Sequence, residues 1–156
     1  MAFDDNAGMR ERTVDRDGLV ASLAGVPGRL ATAARAVPAE APSPGEWTPA
    51  HVVRHLIAVE RGVWHPRLAQ LAAEDHPRWP WVEPEPWPGE PDATLDRLLE
   101  VYADARASTA ATLAALDDAG WARTGTHATF GELDVSALMV RAMDHDEEHL
   151  ASFARS

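Results

Sequence analysis

The sequence predicts an all-α protein, a single four-helix bundle. Apolar residues recur at three- and four-residue spacing in four long segments. The segments are joined by short or proline-rich connections, and no strand-like run of useful length interrupts them. With 156 residues, 46% hydrophobic and 25% charged, the chain is long enough for one core and has the composition of a soluble globular domain.

Residues 1 to about 10 read as a flexible arm, with residues 11–156 forming the bundle domain. In the first helix Leu19, Val20, Leu23, Val26, Leu30, Ala33, Ala34 and Val37 share a face. Pro27 interrupts it, so a kink or brief break is expected there. Three prolines between Pro38 and Gly45 end the element. The second helix opens with Thr48 as N-cap and Pro49 at the first helical position, and should run to about Asp75 with a bend at Pro66. Val52, Leu56, Val59 and Val63 cluster on one side, with Ile57, Trp64 and Leu68 roughly opposite. Such a helix is either central in the bundle or lends its second stripe to a homodimer.

From His76 to Pro91, six prolines and three tryptophans fall in sixteen residues. This Trp/Pro-rich loop between helices 2 and 3 is expected to take an extended, polyproline-like path over the bundle. It would serve as a lid of buried tryptophans, as a partner motif or as a wall against substrate. The third helix, capped by Asp92, carries Leu95, Leu98, Leu99, Tyr102, Thr109, Leu113 and Leu116 as its apolar stripe and stops at Gly120. Asp96, Arg97, Glu100, Asp104 and Arg106 are assigned to its solvated face. A loop with a small hairpin around Thr124–Thr126 and Phe130–Gly131 leads to Asp134, which caps the last helix.

Composition narrows the chemistry. There is no cysteine, and all fourteen basic residues are arginine. Disulfides, thiolate metal sites, protein thiol nucleophiles and lysine-based catalysis are excluded. A formal charge of -11 argues against binding nucleic acid, which requires clustered cations. Residues 1–16 mix acids and arginines with no apolar run behind them, and no window approaches a membrane span, so a cytoplasmic protein is expected.

The candidate site centres on His145 and His149. A four-residue step turns a helix by roughly 400°, leaving two imidazoles on one face and one turn apart, where both can reach one ion. His51 and His55 repeat the spacing on the second helix. His55 is the better third ligand because it lies nearer the Val52, Leu56 and Val59 side. Ala58 and Gly62 follow it, suggesting pocket space above the ion. Three imidazoles with open positions resemble catalytic zinc sites more than closed structural ones, although zinc, nickel, iron and copper all suit such ligands. Comparison with the zinc-peptidase pattern His-Glu-x-x-His fails, since Asp146 replaces the glutamate. Asp146 points to the apolar side and needs a partner there: a ligand imidazole such as His55, or His51, Trp47 or an arginine. Arg141, one turn before His145, either binds a carboxylate of the ligand or is a surface arginine.

Trp47-Thr48-Pro49 leading into Val52, Val53, His55 and Leu56, together with Gly131-Glu132-Leu133 and the terminal His145-Asp146-x-x-His149-Leu150, resembles the DinB/YfiT-like superfamily over most of the chain. The resemblance implies a four-helix bundle and assigns a divalent metal, commonly zinc or nickel, to His55, His145 and His149. Many members carry a glutamate where this chain has His51. The superfamily includes S-transferases and an isomerase that use a low-molecular-weight thiol such as mycothiol or bacillithiol. That chemistry suits a chain without cysteine, and a metal-dependent thiol S-transferase or isomerase acting on a small electrophile is the leading expectation. A metal-dependent hydrolase, with Asp146 or His51 as base, is the second. A non-catalytic metal- or ligand-binding bundle, with a homodimer through the Ile57, Trp64 and Leu68 stripe as one form of it, is the third.

Overall fold

The computed structural model describes residues 5–155, with side chains from residue 15 onward. Four helical rods form the bundle: α1 (Asp5–Arg35); α2 (Pro49–Val59) continued through a π-helical turn (Glu60–Trp64) into α3 (His65–Ala73); α4 (Leu95–Ala114); and α6 (Val135–Ala154). A short helix α5 (Asp118–Trp121) precedes a hairpin of β2 (Thr124–His127) and β3 (Gly131–Asp134), and β1 (Arg78–Trp79) joins β2 in parallel. Of the arm expected over residues 1–10, the first four lie outside the described residues, and α1 begins at Asp5. No helix among the described residues is long and apolar enough to cross a membrane.

The helix starts follow local chemistry. Thr48 Oγ1 accepts the backbone N–H of His51, and Asp134 does the same for Ala137. α4 is capped by Thr94, which accepts from Arg97, and not by Asp92 two residues earlier. α1 runs through Pro27 without a break, carrying Leu23, Val26 and Leu30 fully buried on one face. At Pro66 the second rod responds differently. A proline has no N–H to offer the carbonyl one turn back and its ring collides with it. The preceding turn widens, and the N–H of His65 reaches the Glu60 carbonyl five residues earlier.

This rod is central. Ile57 is fully buried, Trp64 and Leu68 nearly so, within the chain's own core. The stripe offered above as a dimer face is therefore already covered. The core has two apolar clusters, one about Leu23, Leu113 and Leu138, the other about Val26, Ile57 and Tyr102. Where they abut, the polar side chains of Glu60, Arg106 and Asp146 are buried together. Arg106 is thus not on a solvated face. It lies four residues after Tyr102 and three before Thr109, within the buried stripe of α4.

The Trp/Pro-rich segment divides its tasks. Trp79 is buried and donates its indole N–H to Gln70 Oε1 at 2.7 Å. Trp87 is tied to α2, its N–H bonded to the Arg54 carbonyl, while Arg54 donates back to the carbonyls of Trp87, Gly89 and Glu90. Trp81 stays 61% exposed. The segment crosses β2 at Gly125, where a Cβ would stand 2.6 Å from the Trp79 ring and 2.8 Å from the Pro77 carbonyl. Only glycine permits that approach.

Candidate metal centre

His55 comes from the middle of α2 and His145 and His149 from successive turns of α6. His55 is buried and the other two are half-buried. Their Nε2 atoms converge. His145 Nε2 lies 3.2 Å from that of His55 and 3.3 Å from that of His149, and ligand atoms of all three fall within 4.8 Å of one another. Two nitrogens bound tetrahedrally to one zinc at roughly 2.0–2.1 Å stand about 3.3 Å apart. The residues present therefore fit a shared ion.

Electrostatics agree with the geometry. Burial, with mutual repulsion behind it, brings each of the three imidazoles from the ordinary 6.5 down to about 4. At neutral pH all three are uncharged and present lone pairs, the form in which histidine ligates metal. His145 Nδ1 is buried without a hydrogen-bond partner. A ring with one orphaned nitrogen and the other crowded by two neighbouring nitrogens is poorly placed as a structural core residue.

The other expected residues fall in several places. His51 stacks on Trp47 with ring centroids 4.3 Å apart, outside the cluster. Trp47 in turn lies 5.0 Å from the His55 ring and parallel to the His149 ring at 6.1 Å, so it covers one side of the centre. Asp146 touches neither His51 nor His55. Both of its oxygens are bound by Arg106, at 2.8 and 3.1 Å, with the Tyr102 hydroxyl 3.5 Å away. Glu147, next to Asp146, pairs with Arg29 at the surface.

A cavity of about 380 Å³ opens beside the three imidazoles. Ala58 and Gly62 do not line it, contrary to the expectation from spacing. In regular α-helix Gly62 would lie nearly above His55, but the wider π turn advances each residue through a smaller angle. That rotation turns Gly62 out to solvent and brings Val63 into the wall beside Val59. Arg141 does line the cavity, its guanidinium 4.1 Å from the centre of the Phe130 ring. A second hollow of about 620 Å³ lies against Trp47, Glu148 and His149 and is bordered by the segment after α1 and by Phe153.

Two cavity residues escaped the sequence. Arg67 is 7% exposed and donates to the Pro80 carbonyl. His127, 3% exposed, ends β2 and faces the same space. Arg67 stands on α3 of the same rod as His55, beyond the π turn that shifts its phase, and the folding of the hairpin brings His127 there.

The lowered imidazoles predict an acid-sensitive metal-free protein. Each folded pKa lies near 4 and the ordinary value is 6.5, so on acidification the unfolded chain takes up protons first. The stability these groups contribute is complete above about pH 6.5 and is lost as pH falls through 4. Asp146 acts in the opposite sense: burial raises its carboxyl to about 6 against the pull of Arg106, so its protonation favours the fold. Three groups oppose one. Urea midpoints of metal-free protein should fall from about pH 6.5 to pH 4, and a flat or rising profile would refute the neutral-triad assignment.

The sequence profile of the DinB superfamily matches residues 19–152. Among solved structures, YfiT from Bacillus subtilis, described as a probable metal-dependent hydrolase with an unusual four-helix bundle topology, superposes with a TM-score of 0.71 at 20% identity, over 90% of this chain and 84% of that one. TT2238, described as a four-helix bundle protein, superposes with a TM-score of 0.62 at 24% identity, over 90% of this chain and 99% of its own. At these identities the likeness establishes the fold. No curated protein matches the chain significantly.

Proposed function

Because the chain belongs to the DinB superfamily, we propose that it is a metal-dependent enzyme in which His55, His145 and His149 hold one divalent ion, zinc first among the candidates. We further assign it the transfer of a low-molecular-weight thiol of the mycothiol type to a small electrophile. The observation that carries the metal assignment is the convergence of three neutral Nε2 atoms beside a cavity. Three protein ligands leave a coordination position for a reactant, where structural sites normally use four. Such an ion, when bound, stabilises the deprotonated form of a thiol or water that reaches it.

The chain's own residues favour a thiol over water. Asp146 is held by Arg106 and His51 is stacked on Trp47, so neither expected base faces the cavity. A thiol needs less help, since its ordinary pKa of about 8.5 lies far below that of water. Val59, Val63 and Trp64 supply an apolar wall that excludes water from the reacting pair. The chain contributes no thiol of its own, so that group arrives with the cosubstrate.

One observation favours hydrolysis as the second reading. Glu148, adjacent in sequence to His149, borders the cavity and carries a carboxylate that could take a proton from water. YfiT is also described as a probable metal-dependent hydrolase. Protein purified without added metal should contain one divalent ion per chain by elemental analysis. That protein should conjugate mycothiol or bacillithiol to a model electrophile, with turnover lost on chelation. Metal-dependent ester cleavage that disappears in Glu148→Gln, with no thiol conjugation, would establish the second reading instead.

A further inference from the structure

We infer that part of the cavity wall outside the three histidines is an anion-binding corner, built from Arg67, Arg141 and the Nε2–H of His127, and that the molecule bound there carries a carboxylate. The inference deepens the proposed function by naming the substrate class, and it rests on that reading of the cavity as the place where reactants bind.

The corner is pre-formed. His127 Nδ1 accepts the backbone N–H groups of Thr129 at 2.9 Å and Phe130 at 3.3 Å. A nitrogen receiving two donors cannot itself carry a proton, so in the neutral ring the proton sits on Nε2. Among the described residues that Nε2–H has no protein acceptor, and the ring borders the cavity. The His127 ring packs on Phe130 with centroids 4.7 Å apart, and Arg141 covers Phe130 in turn. One aromatic column therefore positions both donors.

Charge points the same way. The chain has a formal charge of -11. Among the described residues Arg16, Arg29, Arg35, Arg97, Arg106 and Arg123 form ion pairs, and Arg67 and Arg141 are among the arginines that do not. Arg67 is the more telling, because it is buried against Trp79 and bonded only to a backbone carbonyl. A buried, unpaired guanidinium is costly, and an anionic ligand offsets that cost. Glu83, Asp144 and Glu148 also border the cavity, but all three are exposed and none pairs with either arginine. Burial lowers the proton affinity of His127, and the charges of Arg67 and Arg141 lower it further, so both cations act on this one ring.

The test uses benzoate and its neutral isostere benzamide, titrated at fixed ionic strength into the full chain in metal-free and zinc-loaded forms. Binding is followed by tryptophan fluorescence, since Trp64 and Trp81 line the cavity. Benzoate should bind roughly tenfold more tightly than benzamide, the size of one charge-assisted hydrogen bond. That preference should collapse in Arg141→Gln, an exposed site where folding is not at stake. It should also shrink in His127→Asn, which keeps an acceptor for the turn and deletes the Nε2–H. Equal affinities, no saturable benzoate binding, or a preference that survives both substitutions would overturn the inference. Zinc stoichiometry on the same samples keeps the two claims apart. One zinc per chain without the benzoate preference removes the corner alone, whereas the preference without zinc uptake removes the metal centre and leaves the corner standing.

Discussion

Replacing His145 by alanine should lower zinc affinity by more than about 100-fold, the upper end of what is lost when a group that merely supports a ligand is removed. His145 is the hinge of the triad: its Nε2 is the one within 3.3 Å of both other imidazoles. Without it, His55 and His149 remain on different helices with no shared third nitrogen. His51→Ala should leave zinc uptake intact, because His51 stacks on Trp47 and its nitrogens are not among the converging ligand atoms. Isothermal titration at about pH 7.5, where the imidazoles are neutral, measures both variants.

The same substitution separates a metal centre from a structural histidine cluster. His145 brings a buried, unpartnered Nδ1 into the fold, so its deletion removes a polar group that is already badly served. Relief of that group offsets the lost packing, and metal-free stability should change little. What disappears is the increase in thermal midpoint on adding zinc, which follows from binding to the folded state alone. A His145→Ala variant that still shows the wild-type zinc shift would sink the assignment. A variant that unfolds without metal would make the cluster a core feature.

The three imidazoles were legible in the sequence because they depend on helical phase, which spacing encodes directly. His145 and His149 need only one regular helix, and His55 needs only the correct face of another. Gly62 was misplaced for the complementary reason, whereas Ala58, three residues after His55 in regular helix, stands about 60° round from it. The π turn before Pro66 changes the phase after Val59, and periodicity read at a constant angle carries no trace of it. The hairpin was legible from its glycines, but the pairing of β1 with β2 joins residues 48 apart through a glycine contact that no local pattern announces. Asp146 was recognised as an acid in need of a partner, and an arginine was among the choices. Arg106 was assigned to solvent by residue type, since its position in the stripe looked like an error in amphipathicity unless two distant acids were already in place. Arg67, on α3 beyond the π turn, shares that phase change, and His127 became a site residue through a hairpin with no helical periodicity at all.

Arg106 therefore carries the second large prediction: Arg106→Met should destabilise the metal-free protein by about 3–5 kcal/mol, the usual cost of breaking a buried ion pair from one side. The side chain is 1% exposed and every N–H of its guanidinium is used. Nε and one terminal nitrogen bind Glu60 at 2.8 and 2.9 Å, both terminal nitrogens bind Asp146, and one also reaches the Leu23 carbonyl at 3.1 Å. Thr109 completes the set with a 2.6 Å bond to Glu60. One residue thus ties α1, the π turn, α4 and α6 together beside the metal ligands. Methionine fills similar space but leaves the Glu60 and Asp146 carboxylates buried without the cation they share. Asp146 fixes the sign of the pH dependence. Burial already raises its carboxyl and Arg106 holds it back, so without that cation it rises further, and the deficit should be largest near pH 8 and shrink as the pH falls towards 5. Adding Glu60→Gln and Asp146→Asn should recover much of the loss at neutral pH, because neutral amides bury no unpaired charge. Urea unfolding of the single and triple variants at the two pH values measures both effects, and a single variant within about 1 kcal/mol of wild type at pH 8 would mean that the three charges do not depend on one another.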